Sequence, residues 1–207
     1  MQGGHMLIDS FVKQTMQRTH ASSLTYKVDL PGGQSRLRDA ILYVSGKYKN
    51  ADWFGLVKLN KTLWKADFDS FRERQYPVTG RQYKRQKDGP VPYEMVPILN
   101  DLLRDDYIEI EKRPVGRMTE QRVIPKVEPS LRNFSPADVS YFDRAIRFYW
   151  DFTGTEASDH SHGVAWATRY NGDDMPYNLA FLSDVPLADW EQRYYGRLAQ
   201  QEGWVSC

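Results

Sequence analysis

The sequence predicts an α+β chain that is mostly α: a compact helical domain carrying a small antiparallel β-sheet or hairpin. Three observations predict it. The stretch Leu56–Pro92 opens with apolar residues at helical spacing, sustained as far as Phe71. Tyr107–Lys112 alternates, with Ile108 and Ile110 on one side and Glu109 and Glu111 on the other, as a half-buried strand does. Phe134-Ser135-Pro136-Ala137-Asp138-Val139 reads as a helix start, with Ser135 as cap, Pro136 in the first position and Asp138 completing a capping box.

The elements follow in order. Residues 1–6, MQGGHM, read as an expression-tag remnant and are set aside with His5. Residues 7–35 form an N-terminal extension: a short helix over 7–20, then an extended LTYKVDL before Pro31-Gly32-Gly33. Ser35 is placed to cap a helix reaching Lys49, with Leu37, Ile41, Val44 and Tyr48 at helical spacing. Asn50-Ala51-Asp52 breaks it, and Asp52 is placed to cap the central helix. That helix carries Leu56, Val57, Leu59, Leu63, Trp64, Ala66, Phe68 and Phe71 on one broad face, with Asn60 and Asp67 embedded in it. Lys58, Lys61, Lys65 and Arg72 line the opposite side as a basic stripe. Pro77 predicts an end near Gln75-Tyr76, since the residue before proline avoids helical geometry. Val78 to Arg85 reads as a strand. Gly89 suits a tight turn, and Pro90 and Pro92 stiffen the entry to a helix carrying Val96, Leu99, Leu102 and Leu103. Pro97 either kinks that helix or begins it. PVGRM is a loop from which Arg122-Val123-Ile124 returns as the second strand of a hairpin. The helix from Ser135 continues to Phe152, where Gly154 stops it. Leu187, Trp190, Tyr194 and Leu198 mark an amphipathic helix within 183–207, packed on the domain.

Composition narrows the function classes. Charge is balanced, 28 Lys plus Arg against 27 Asp plus Glu, which weakens a general nucleic-acid binder. With 41 % hydrophobic residues the chain is too apolar for disorder. The single cysteine, Cys207, excludes an internal disulfide and a cysteine-rich metal site, and fits a reducing cytoplasm. No run approaches the ~18 apolar residues of a membrane span, so no membrane partner is expected. The 6 Trp and 13 Tyr suit surfaces that receive a partner.

Candidate chemistry is sparse. Asp67 has two readings: a carboxylate fixing the packing of the next segment through hydrogen bonds, or a catalytic group. The first is favoured, because no second catalytic side chain stands beside it in sequence. His160 and His162, with Asp159 adjacent, would need a third ligand from elsewhere to hold a metal. No nucleophile elbow or phosphate-cradling glycine loop is present. No cofactor, metal or catalytic residue is expected. Arg81, Lys84, Arg85 and Lys87, with Tyr83 among them, form the most partner-like feature: a basic, aromatic strand that would meet an acidic protein or phosphates, or pair with an incoming strand at a sheet edge.

The runs L-N-K-T-L-W-K-A-D-F, P-V-T-G-R-Q-Y and D-G-P-V-P, in that order and spacing, resemble the Panacea domain of SocA-like antitoxins from bacterial and phage toxin–antitoxin systems. Lys61 and Asp67 occupy that family's helix positions, beside Leu59, Leu63, Trp64 and Ala66. Thr79, Gly80 and Tyr83 match its strand. Gly89, Pro90, Val91 and Pro92 match its turn, and Ser161, His162 and Trp166 match a downstream Ser-His and Trp. The similarity extends from about Leu37 to about Trp166, within an expected domain of residues 36–182. It implies a non-catalytic protein that neutralises a cognate protein toxin by direct contact. The surface expected to do so comprises Trp64, Lys65, Arg72, Arg81, Tyr83, Lys84, Arg85 and Tyr93. Two other readings share the fold: an adaptor delivering a toxin to an energy-dependent protease, and an autorepressor using the hairpin as a DNA-binding wing.

Overall fold

The computed structural model of the protein describes residues 24–116, 118–182 and 189–201. The expected tag remnant, the helix over 7–20 and Leu187 lie outside them. The chain is mostly helical with small antiparallel sheets. Helices α1 (Gln34–Lys47), α2 (Leu56–Arg74), α3 (Met95–Arg104), α4 (Pro136–Tyr149), α5 (Gly154–His160), α6 (Val164–Ala167) and α7 (Asp189–Gln201) alternate with five strands. Strands β1 (Tyr83–Gln86), β2 (Gly89–Pro92) and β5 (Asp174–Met175) form one sheet in the order β2-β1-β5. Strands β3 (Ile108–Val115) and β4 (Met118–Pro125) form a separate hairpin.

Helix α2 is the hub because it is apolar on two sides. Leu59, Leu63 and Ala66 join a core with α1, α3, α4 and the hairpin. Phe68 and Phe71 join a second cluster with Tyr83, Met175, Tyr177 and Leu179. A helix covered on both flanks has little side left for water, so the expected basic stripe is corrected. Lys58 and Lys61 are buried, Lys65 is mostly covered, and Arg72 alone is well exposed. Lys58 Nζ donates to the carbonyls of Trp53 (2.8 Å), Trp150 (2.6 Å) and Phe152 (2.8 Å). It thereby satisfies acceptors around the end of α4 that no helical N–H reaches.

Several local expectations change for stated reasons. Ser35 lies inside α1 and its hydroxyl donates to Gly32 O; the cap position belongs to Gly33. Asp52 does not cap α2, whose cap is Gly55 without a side-chain bond. The strand begins at Tyr83 instead of Val78, because the preceding backbone is bonded elsewhere. Val78 O accepts from Arg36 (2.9 Å), Thr79 N donates to Asp67 (2.5 Å), and Gly80 O accepts from Val28 N (3.0 Å). Pro90 and Pro92 sit in the edge strand β2, paired with Arg85 and Tyr83, and do not open a helix. An outer edge needs no N–H donor, so proline is tolerated there. Helix α3 starts at Met95, placing Pro97 in its first turn without a kink. The hairpin is longer than expected, closing between Val115 and Met118. Gly154 does not stop α4, which ends at Tyr149; it opens α5 behind a capping box of Thr153 and Glu156. The Ser135–Asp138 box is present as expected.

The extended segment before Pro31 is laid against the second cluster. Val28 bonds Gly80 as above, Thr25 O accepts from Tyr177 N (2.7 Å), and Leu30 is buried.

Candidate partner-binding surface

The motif residues converge on two buried nodes. At the first, Asp67 accepts from Thr79 N (2.5 Å), the Thr79 hydroxyl and Tyr83 Oη (2.9 Å), while Tyr177 Oη, 3.4 Å away, donates its proton to Arg81 O (2.6 Å). Burial pushes its carboxyl above the usual range, while the donors from Thr79 and Tyr83 pull the other way. The Tyr83 hydroxyl is in turn held well above its ordinary value, by burial and then by the Asp67 charge. Gly80 completes this node: its φ is +72°, and a Cβ there would run into Val28 O. Asp67 is therefore a sealed anchor that ties the α2–β1 connection to the helix.

At the second node Lys61 reaches under the β1–β2 turn, with Nζ 3.4 Å from Pro90 O. Gly89, at φ +103°, leaves the space that Lys61 and Ser161 occupy, since a Cβ would collide with both side chains. Ser161 Oγ donates to Ser158 O (2.7 Å), and Ser158 Oγ donates to Asp88 O (3.1 Å). Burial lowers the Lys61 amine to about 7, against a smaller opposing pull from Asp88. His162 lies 3.9 Å from Trp166, ring on ring, and burial together with the Lys61 charge lowers its pKa. His160 packs elsewhere, 4.7 Å from the Phe148 ring. The two histidines thus have different surroundings, and among the described residues no group of three His, Cys, Asp or Glu could hold a metal.

The residues expected to meet a partner divide three ways. Tyr83 and Arg81 are buried, Arg81 within 3.6 Å of Glu94, so both face inward. Trp64, Lys65 and Arg72 border a small cavity of about 120 Å³ beside Phe68, Tyr149 and Ala165. Lys65 and Arg72 both pair with Asp69, at 2.9 and 3.0 Å. Lys84, Arg85 and Tyr93 lie on the sheet. Arg85 stands 3.6 Å over the Trp166 ring and Lys84 5.0 Å from that of Tyr93. Tyr93 is 40 % exposed and donates to Asp174 (2.5 Å), which raises its hydroxyl to about 12. The central strand is flanked on both sides, so the expectation that it would pair with an incoming strand is corrected.

Several cations of the hairpin and its flank are engaged within the protein. Arg113 pairs with Glu111 (2.8 Å), Lys126 with Asp106 (2.6 Å), and Arg122 is buried with its guanidinium on Ala51 O (2.8 Å). The burial of Arg122 and Lys58 was not legible in the sequence, where nothing separates a buried cation from an exposed one. The Arg85–Trp166–His162 stack was equally hidden, since about 80 residues separate Arg85 from the other two, beyond any local pattern.

A family model described as antitoxin SocA-like, Panacea domain, matches residues 59–167, from the first turn of α2 to the end of α6. No curated protein and no solved structure matches the chain.

Proposed function

The chain belongs to the family of SocA-like antitoxins that carry the Panacea domain, and from that premise we propose that it neutralises a cognate protein toxin by direct binding, without catalysis of its own. The observation that carries this reading is the family match over the residues that build both buried nodes. The polar groups with the strongest claim to chemistry, Asp67 and Lys61, are spent on holding the sheet and turn to α2. The surface left for recognition is aromatic and cationic: Lys84, Arg85 and Tyr93 on the sheet, and Trp64, Lys65 and Arg72 at the small cavity. Aromatic rings and guanidinium groups are the side chains from which binding hot spots are made. Tyr83 and Arg81 support that surface from beneath. No helix among the described residues is long and apolar enough to cross a membrane, and we place the protein with its toxin in the cytoplasm.

The test is co-expression with the product of the adjacent reading frame, scoring growth and co-purification together. Rescue with a stable complex is the expected result. Arg85→Glu should then weaken that complex by about tenfold or more, since it reverses a charge stacked on Trp166. Rescue accompanied by loss of the partner would instead make the chain an adaptor for proteolysis. Absence of both rescue and complex would overturn the reading.

A further inference from the structure

A cavity wider than the one beside Trp64 lies away from the sheet surface. It is a cleft of about 490 Å³ between the start of α2, the β1–β2 turn, the β3–β4 hairpin and α5. Its floor is apolar, from Leu56, Val57 and Val115, and Trp53 borders it with 39 % of its surface exposed. Its charge is one-sided. Asp88, Glu120 and Asp159 line it against a single lysine, Lys87, among the described residues. Asp88 and Asp159 are exposed, while Glu120 is mostly covered, 12 % of its side chain exposed, and paired with Arg122 Nε at 3.3 Å.

The walls are fixed in advance. Lys58 holds the Trp53 carbonyl at 2.8 Å, and the Thr153–Glu156 box sets the start of α5. Gly55 brings the backbone so near the hairpin that an added Cβ would lie 2.8 Å from the Glu120 side chain. Walls held before binding lower the ordering free energy spent when the cleft is filled. Its volume falls within the range of about 300–1,000 Å³ typical of binding pockets.

We propose that this cleft seats a basic amphipathic segment of the toxin, with one or two large apolar side chains on the Leu56–Val57–Val115 floor against Trp53, and Lys or Arg side chains meeting Asp88, Asp159 and Glu120. The proposal rests on the antitoxin reading and adds to it a site and a partner chemistry. An acidic segment would meet three carboxylates, so complementarity selects a cationic one. His162, which lines the cleft and stacks on Trp166, joins it to the Arg85 surface.

The experiment measures the affinity of the purified full chain for the product of the adjacent reading frame, over a range of salt. Trp53→Ala removes the bordering ring and should weaken binding by about tenfold or more, as hot-spot truncations do. Asp159→Lys should weaken it and flatten its salt dependence. Thr119→Arg, at an exposed position on the hairpin wall, should block the cleft without touching the core. Val96→Ser, on an exposed part of α3 outside the cleft, should leave binding unchanged. Melting curves show which variants are folded, and Thr119→Arg decides the matter if Trp53→Ala is not. A wild-type complex that all three cleft variants form equally tightly overturns the cleft and leaves the antitoxin reading standing. Failure of the wild type to bind or rescue overturns both.

Discussion

Lys61 gives up its proton at about 7 in the folded protein because burial penalises the ammonium. In an unfolded chain the same amine keeps its proton to about 10.4. Between those values the unfolded state binds more protons, so folding stability rises with pH from about 7 to about 10. Below about 7 the buried charge costs up to about 5 kcal/mol. Lys61→Met keeps the length of the side chain and drops the charge. It should raise the unfolding free energy at pH 6–7 and remove most of that rise, as measured by urea unfolding across the pH range. The remaining slope belongs to Lys58, whose amine burial lowers to about 8. Asp67→Asn acts in the opposite direction. It offers one acceptor and two donors where Thr79 N–H, the Thr79 hydroxyl and the Tyr83 hydroxyl all donate, and should destabilise by about 2–4 kcal/mol in the same unfolding experiment.

Scale changes at the connections, where two glycines hold elements to α2. Gly89→Ala would force a Cβ onto Lys61 and Ser161 at a positive φ, and Gly80→Ala would do the same against Val28 O. Each should cost about 2 kcal/mol or more, read from the shift in denaturant midpoint. Much of this was legible because its causes are local. The Ser135–Asp138 box, the strand alternation of Ile108–Lys112 and a carboxylate stranded on an apolar face all announce themselves within a few residues. The Thr153–Glu156 box was equally local, yet Gly154 looked like a helix stop when it was a helix start. Val78–Arg81 looked like a strand, since alternation carries no information about where backbone groups find partners. The basic stripe failed for a related reason: a helical wheel gives the direction of Lys58 and Lys61 but not the elements that cover them. Among the expected partner residues, Tyr83 and Arg81 were misplaced on the surface for want of that same knowledge.

At the scale of the whole molecule, α2 is the shared wall of two apolar clusters, so neither cluster opens without exposing it. Hydrogen exchange of the α2 amides should therefore proceed only through global unfolding, while α7, whose Trp190 and Tyr194 are 64 % and 47 % exposed, exchanges faster. Phe142→Ala and Phe68→Ala, one in each cluster, should each cost about 3–5 kcal/mol in a single cooperative transition. The same burial inverts the charge balance. Among the described residues six cations, Arg36, Lys58, Lys61, Arg81, Arg122 and Arg169, are buried against three acids, Asp39, Asp67 and Asp138. The outer surface of the described residues is accordingly more acidic than their composition, which accords with the carboxylates around the cleft. The two enclosed amines also make a chemical clock. Acylating reagents modify exposed lysines at once but reach Lys58 and Lys61 only in molecules that have opened. Mass spectrometry of those two sites would count unfolding events directly, whether the protein is alone or held in a complex.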